Sequence, residues 1–427
     1  MILFYRVLTQ LIYPFLFILI YLRVYLNKEH PYRYKEKILV SHFNVNRSKD
    51  KNLIWFHAAS IGELKSILPI IKKINTDKNN IEFLVTTTTL SSSKIAEIEF
   101  KKIKNISHRF FPYDIEFLIS KFLKLWKPNF IFLVDSEIWP NLILNAKKNH
   151  IPIAILNARI TLKSFKNWRR FPRTASKIFS SLDLCLTSSK ESENFFKKLN
   201  VKNIKFNGNI KFINDIEEDE IKNENEKILN NSIFWIAAST HPGEEELCLK
   251  THKQLKQKYK KILTIIAPRH IERSEKISAL CENYKLSFQI LNEKEIIKPG
   301  KEIIILNSFG ILQNYFKFAK SVFIGKSTIK KLQEVGGQSP LEAVKLKCKI
   351  YHGPYVSNFK DIYEILEINK ISRQITNHEE LSAFLEIDLN PSNKKNDNIS
   401  VPISNLSENI LNGTMKEINN FILNEIK

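Results

Sequence analysis

From residue 52 onward, short apolar runs alternate with segments whose apolar residues return every three or four positions. The runs at 53–56, 81–89, 130–135, 151–156 and 182–189 predict strands, and the amphipathic segments between them predict helices. Near-continuous apolar strands separated by helices imply a parallel sheet covered on both faces. The pattern stops at 215–231, a charged and amide-rich stretch without a strand, and restarts with runs at 232–239, 261–268, 302–306, 321–325 and 349–353. Two doubly wound α/β domains joined by a linker are therefore expected, with a loop at 390–400 and a closing helical stretch near 406–426. The expected divisions are an N-terminal segment 1–40, a first domain 41–214, a linker 215–231, a second domain 232–410 and a closing helix 411–427. In open parallel sheets ligands gather beyond the carboxyl ends of the strands, so an interdomain cleft is the expected site.

The first segment follows a different rule. Residues 7–22, VLTQLIYPFLFILIYL, are uncharged, with Arg6 before them and Arg23, Lys28, Arg33, Lys35 and Lys37 after. This predicts a membrane anchor. Sixteen residues fall short of the ~20 that a spanning helix needs, although residues 1–5 extend the stretch if Arg6 snorkels. Spanning and embedding both stay open. No small-residue cleavage site follows, which argues for a retained anchor, and the basic flank favours cytoplasmic downstream domains.

Composition narrows the function classes. A chain of 427 residues with 43% hydrophobic content suits two domains of common size. The formal charge of +22 is compatible with nucleic acid, an anionic membrane or phosphorylated substrates. The basic residues are scattered and no RNA- or DNA-binding signature is present, so no nucleic-acid partner is expected. Cys185, Cys248, Cys281 and Cys348 match no zinc or redox spacing, which points to a reducing compartment. No GxGxxG, Walker or GxSxG sequence occurs, which argues against hydride transfer, NTP hydrolysis and an α/β-hydrolase. Group transfer between two bound substrates remains.

Candidate chemistry sits where strands stop. HAASIGE, 57–63, reads as a capping box from Ser60 to Glu63, but a cap does not need Gly62, whose presence suggests close approach of a partner. VDSEIWPN, 134–141, offers the carboxylates Asp135 and Glu137, one of which can serve as a cap. NARITLKSF, 157–165, and the basic residues Arg169, Arg170 and Arg173 suit either an anionic substrate or a solvated face. GNIKF, 208–212, places Lys211 at another strand end. In the second half, AASTHPGEEE and APRH offer Ser239, Thr240 and Arg269, the last able to grip phosphate or carboxylate bidentately. VGGQSPLEAV, 335–344, reads as a glycine pair feeding a capped helix with Pro340 at its first position, an arrangement that suits a phosphate. His241 and His270 lack ligand partners at metal spacing.

Taken in order, HAASIGE, VDSEIWPN, NARITLKSF, GNIKF, AASTHPGEE, APRH, GGQSPLEAVKLKCKIYHGP and Asn358-Phe359 resemble the Kdo transferases of bacterial lipopolysaccharide synthesis, from the anchor to about Leu366. The resemblance implies a GT-B glycosyltransferase with two Rossmann-like domains, the first binding acceptor and the second binding CMP-sugar. It implies inverting transfer of Kdo from CMP-Kdo to a lipid A precursor, lipid IVA, at the cytoplasmic face of the inner membrane. Glu63 would be the general base, and Glu137 and Lys211 would help stabilise the transition state. For CMP it points to Pro268, Arg269, Phe309, Gly310, Ile311, Ser339, Pro340, Leu341 and Glu342. Neither a metal nor another cofactor is expected.

The chain departs from the family pattern at three places. The common D-T-x-G-E segment reads Asn307-Ser308-Phe309-Gly310-Ile311, without either carboxylate; a paired glycine reads Gly325-Lys326; and a His-Asn before proline reads Gln338-Ser339. The first departure keeps open a transferase using a different nucleotide sugar. A non-catalytic, membrane-bound anionic-lipid-binding protein is the rival from another class, and it predicts that Glu63→Gln changes nothing.

Overall fold

The computed structural model describes residues 1–48, 50–77, 80–213, 216, 218, 221–393, 395 and 399–426. It forms two compact units, Met1–Asn214 with Ser407–Lys427, and Asp215–Leu406.

The first unit holds seven strands: Asn52–His57 (β1), Ile81–Thr87 (β2), Ile106–Phe110 (β3), Phe130–Val134 (β4), Ile153–Ala158 (β5), Leu184–Thr187 (β6) and Ile204–Phe206 (β7). All pair in parallel in the order β3-β2-β1-β4-β5-β6-β7. The inner strands β4 and β5 are buried throughout, as continuous apolar runs require, and helices cover both faces. The order reverses between β1 and β4, where the loops after the two strands part to opposite faces.

The second unit repeats the architecture with Phe234–Thr240 (β8), Leu263–Pro268 (β9), Phe288–Leu291 (β10), Ile303–Leu306 (β11), Ser321–Ile324 (β12), Lys349–His352 (β13) and Ser372–Gln374 (β14). Their order is β10-β11-β9-β8-β12-β13-β14, again all parallel. Part of the expected linker 215–231 lies outside the described residues. The described part carries a short helix, Glu226–Asn230, and is tied to this unit by Asn225, which donates to the Glu295 carbonyl at 2.9 Å and accepts from the Ile297 N–H at 2.7 Å.

Part of the expected loop 390–400 also falls outside the described residues. The closing helix begins earlier than its apolar pattern suggests, running Ser400–Ile426, because Pro402 falls in the first turn where its missing N–H is harmless. Its later turns return to the first unit, where Phe421 packs against Phe130 and Phe132 and Glu417 pairs with Lys205.

The N-terminal helix, Ile2–Tyr25, is long and apolar enough to cross a membrane. Its buried or partly buried positions, Ile2, Tyr5, Arg6, Thr9, Tyr13, Leu16, Phe17, Ile20 and Val24, form one stripe along its whole length. That stripe lies on the first unit. Tyr5 donates to Asp114 at 3.0 Å, Arg6 to the Asn141 side chain at 3.3 Å, and Tyr13 to the Ile38 carbonyl at 2.7 Å, while Ile20 joins Tyr34 and Ile38 in a small apolar cluster. The other side presents Leu3, Phe4, Leu11, Phe15, Ile18 and Leu22 to the outside.

At the helix's end an ionic chain leads inward from the exposed Arg23. Arg23 pairs with Glu29 at 2.9 Å, Glu29 with Lys37 at 2.5 Å, and Lys37 donates to the Thr88 carbonyl at 2.8 Å. Thr88 in turn donates its hydroxyl to the Ala59 carbonyl at 2.9 Å, within HAASIGE.

Asp114 joins the N-terminal helix to the fold. Its carboxylate also accepts the N–H groups of Asn141 and Leu142, both at 2.9 Å, in the first turn of helix Pro140–Lys148. Burial lifts its pKa from 3.8 to about 6 against these hydrogen bonds. Because the folded value lies above the ordinary one, ionisation opposes folding: the stabilisation is complete below the ordinary value and is lost as pH rises through about 6. Asp114→Asn is expected to remove about 3 kcal/mol of this pH dependence. The check is unfolding midpoint against pH: the wild-type curve falls relative to the variant's between pH 4 and pH 7, and parallel curves refute the assignment.

Candidate active site

HAASIGE spans the end of β1 and the first turn of helix Ile61–Asp77. The expected capping box forms with a shift of one residue. Ser60 Oγ accepts from the Glu63 N–H at 3.4 Å, but the carboxylate reaches back to the Ala59 N–H at 2.7 Å and also takes the Ser60 hydroxyl at 2.8 Å. Glu63 is only partly buried. Desolvation raises its pKa above the ordinary carboxylate value, helped by the negative charges of Asp135 and Glu137 and opposed by the bonds from Ser60 and Ala59. The result is an anchored carboxylate more basic than a surface glutamate.

Asp135 and Glu137 follow β4, the strand next to β1. Asp135 sits in the left-handed region, φ +65°, which is costly for a non-glycine residue and typical of functional strand ends. Its carboxylate binds Lys211 Nζ at 2.5 Å and the Ser136 hydroxyl at 3.1 Å. Glu137 accepts from Trp139 Nε1 at 2.8 Å and lies 3.2 Å from His57 Nε2. His57 is fully buried, with its other ring nitrogen 3.0 Å from Thr86 Oγ1 and its face stacked on Phe111 at 3.9 Å. The aromatic and hydroxyl partners hold the imidazole, and the imidazole with Trp139 holds Glu137.

Lys211 is placed with similar care. Asn157 Oδ1 accepts the Ile210 N–H at 3.0 Å, and Asn209 Oδ1 accepts the Lys211 N–H at 3.0 Å. NARITLKSF and GNIKF, separate in sequence, thus meet at one loop. Glu63, Glu137 and Lys211, all expected at strand ends, lie at the carboxyl end of one sheet, after β1, β4 and β7. Sequence reasoning did not assign Asp135 to Lys211 or give His57 a role, although both stand inside the motifs it singled out.

In the second unit, Pro268 ends β9 and Arg269 follows, its N–H on the Thr240 carbonyl at 3.0 Å and its residue exposed. Phe309, Gly310 and Ile311 form the turn after β11, with Phe309 exposed. Ser339 and Glu342 are exposed, whereas Pro268, Pro340 and Leu341 are buried. The capping box expected at Ser339 is absent: helix Leu341–Lys345 has no side-chain cap, and Glu342 instead accepts from Gln313 Nε2 at 2.8 Å. A backbone that enters this short helix one residue late leaves Ser339 outside it. The Gln313 bond ties the 309–311 turn to Glu342, so two of the expected nucleotide segments are joined.

Glu244 organises this end of the sheet. Nearly fully buried, it accepts the N–H groups of His241 at 2.9 Å, Lys326 at 2.6 Å, Ser327 at 2.9 Å and Thr328 at 3.1 Å, and the Thr328 hydroxyl at 3.0 Å. Gly325 is required there because a Cβ would strike the Ser239 carbonyl at 2.6 Å and Glu244 at 2.8 Å. Lys326 follows with φ +58°, so a lysine adopts the left-handed backbone that a second glycine would adopt more easily. Among the described residues, no group of three or more His, Cys, Asp and Glu is arranged to hold a metal ion.

The sequence model of a family described as 3-Deoxy-D-manno-octulosonic-acid transferase (kdotransferase) matches residues 32–214. A 3-deoxy-D-manno-octulosonic acid transferase of Rickettsia bellii (strain RML369-C) is 31% identical over 394 residues, covering 92% of this chain and 91% of that protein. The chain belongs to the Kdo transferase family. A Kdo transferase of Haemophilus influenzae is 29% identical, with 73% of each chain covered. Solved structures also align: a UDP-GlcNAc 2-epimerase from Neisseria meningitidis (TM-score 0.55, 12% identity, 86% of this chain and 100% of that one) and a glycosyltransferase from Rickettsia africae (TM-score 0.54, 11% identity, 88% and 99%). These share the fold, GT-B.

One position in this Kdo transferase family member stands beside Glu63 with no structural demand for its residue type. Gly62 is exposed, and a Cβ built on it meets nothing within 4 Å. No atom of the described chain therefore requires glycine there. Gly62→Ala is expected to stabilise the helix by up to about 1 kcal/mol yet slow transfer about tenfold or more by displacing whatever approaches Glu63. Unfolding midpoint and turnover measured on one preparation check this; unchanged turnover would mean that nothing approaches.

Proposed function

We propose that this protein transfers Kdo from CMP-Kdo to the lipid A precursor lipid IVA, with inversion, on the cytoplasmic face of the inner membrane. The observation that carries the reading is the Glu63 carboxylate, partly exposed at the end of β1, held by two donors and made more basic by burial and by Asp135 and Glu137. Residues 41–214 bind the acceptor and residues 232–410 bind the nucleotide sugar.

As the acceptor hydroxyl oxygen attacks the anomeric carbon of Kdo, its proton passes to Glu63. The bond from that carbon to the phosphate oxygen breaks, and CMP leaves with the electron pair. Positive charge grows on the sugar and negative charge on the phosphate. Glu137, fixed by Trp139 and His57, offsets the first; Lys211, fixed by Asn157 and Asn209, keeps Asp135 from overloading the site with negative charge. Arg269 and the backbone around 309–311 and 339–342 receive CMP.

Attachment to the membrane uses the N-terminal helix as an embedded rather than a crossing element. Its inner stripe is committed to the first unit along its length, so its apolar outer side enters the bilayer with that unit close against the lipid surface.

The test is incubation of the detergent-solubilised protein with CMP-Kdo and lipid IVA, followed by product mass. A Kdo increment supports the reading. No increment from a folded sample overturns it, and an increment seen only with a uridine-linked sugar would assign the altered 307–311 turn to another donor.

A further inference from the structure

Between Glu137 and Asp183 the chain contains no acidic residue, yet it carries nine Lys and Arg. Six of these, Lys163, Lys166, Arg169, Arg170, Arg173 and Lys177, lie on two consecutive short helices and the turn joining them, Leu162–Arg169 and Pro172–Phe179. All six are exposed. Among the described residues none of the six has a carboxylate partner, and the Arg169 guanidinium lies over the Phe165 ring at 5.7 Å. The inner faces of the two helices, through Phe165, Ala175, Ile178 and Phe179, are packed into the core of the first unit. The outer surface is consequently fixed in place. At its corner Phe171 is 45% exposed, and Leu162 at the start of the first helix is 49% exposed.

A solvated basic face accounts for the lysines, but not for two large exposed apolar side chains set among them, nor for 45 residues without a carboxylate in a chain that has 44 acidic residues elsewhere. Apolar tips ringed by cations are the chemistry of a surface that meets anionic lipid. The placement agrees. The helix pair follows β5, and the neighbouring strand β4 leads into helix Pro140–Lys148, whose Asn141 binds Arg6 of the N-terminal helix at 3.3 Å. The start of the helix pair, with Leu162, and the start of the N-terminal helix therefore both lie at the carboxyl end of the same sheet.

We propose that the Leu162–Phe179 corner is a second membrane contact of the first unit, with Phe171 and Leu162 entering the boundary between headgroups and acyl chains while the six cations bind anionic lipid phosphates. The inference goes beyond the transfer reaction and does not depend on it. It gives the unit two lipid contacts in place of one, which fixes its orientation and not only its attachment.

The test places an environment-sensitive fluorophore at Phe171→Cys in the full chain; the four native cysteines are buried and leave the label to the new site. The protein is reconstituted in vesicles of phosphatidylcholine alone or mixed with phosphatidylglycerol, with and without nitroxide-labelled acyl chains. The expected result is a blue shift and nitroxide quenching that require the anionic lipid. Combining Arg169→Glu, Arg170→Glu and Arg173→Glu should abolish the quenching while the N-terminal helix keeps the protein on the vesicles; release of the protein altogether is the same result in stronger form. Glutamine replacements at the same three positions serve if the reversed chain does not fold. A label that stays in water on anionic vesicles, quenching that survives the substitutions, or a response to RNA without a response to vesicles overturns the proposal.

Discussion

Glu63→Gln is expected to lower Kdo transfer by about 10²–10⁴-fold, the usual contribution of a positioned general base, while nucleotide binding stays within about twofold. Glutamine keeps the side chain's size and one carbonyl acceptor, so either the Ala59 N–H or the Ser60 hydroxyl retains its partner. What disappears is the capacity to take a proton. The comparison needs single-turnover rates together with CMP titration by calorimetry, because only the pair separates lost chemistry from lost binding. The pH dependence has a definite sign: Glu63 must be ionised to act, and its pKa is raised in the fold, so wild-type activity falls with decreasing pH at a value above that of an ordinary glutamate. If Glu63→Gln turns over at the wild-type rate, the proposed mechanism is wrong whatever the substrate.

The second large effect is expected at Lys211→Met. Lys211 neutralises Asp135, and Asp135 is the leading charge that raises the Glu63 pKa. Removing the ammonium leaves Asp135 uncompensated next to the base. Transfer should fall by about 10²–10³-fold through lost electrostatic stabilisation, and the acid limb of the rate profile should move to higher pH. Adding Asp135→Asn to Lys211→Met removes the excess charge and should return the limb toward its wild-type position without restoring the full rate. A limb that stays put in the single variant would mean that Lys211 does not offset the charge felt at Glu63.

The sequence made the interior of both sheets legible and their borders much less so. Runs such as FIFLV in β4 and FWIAA in β8 are buried on both faces and can only be strands of a parallel sheet. The strands that carry no such run are β3, β10 and β14, while β7 is marked only by the loop that follows it. These four are the two edges of each sheet. An edge strand pairs on one side, so ISHRF and SRQ can hold polar residues that an apolar-run criterion passes over.

The site divides in a similar way. The strand-end positions of Glu63, Glu137 and Lys211 were legible in the motifs that hold them. The partners that position them were not, since His57–Glu137 and Lys211–Asp135 are separated by about 80 residues and nothing in local spacing links them. Glu244 was hidden for another reason: in AASTHPGEEE it reads as the acidic start of a helix, and only the fold turns it inward to bind four backbone N–H groups.

The ionic chain from Arg23 through Glu29 and Lys37 to Thr88, and from there to Ala59, has a practical consequence for anyone preparing a soluble fragment. Cutting after Tyr25 would strip one wall from the Tyr34 and Ile38 cluster and leave Glu29 with a single cation, loosening the ground beneath HAASIGE. A shortened protein that works poorly would thus be reporting a weakened HAASIGE loop as much as a lost lipid contact. Detergent or nanodisc preparations that retain residues 1–25 are the better starting material for kinetics.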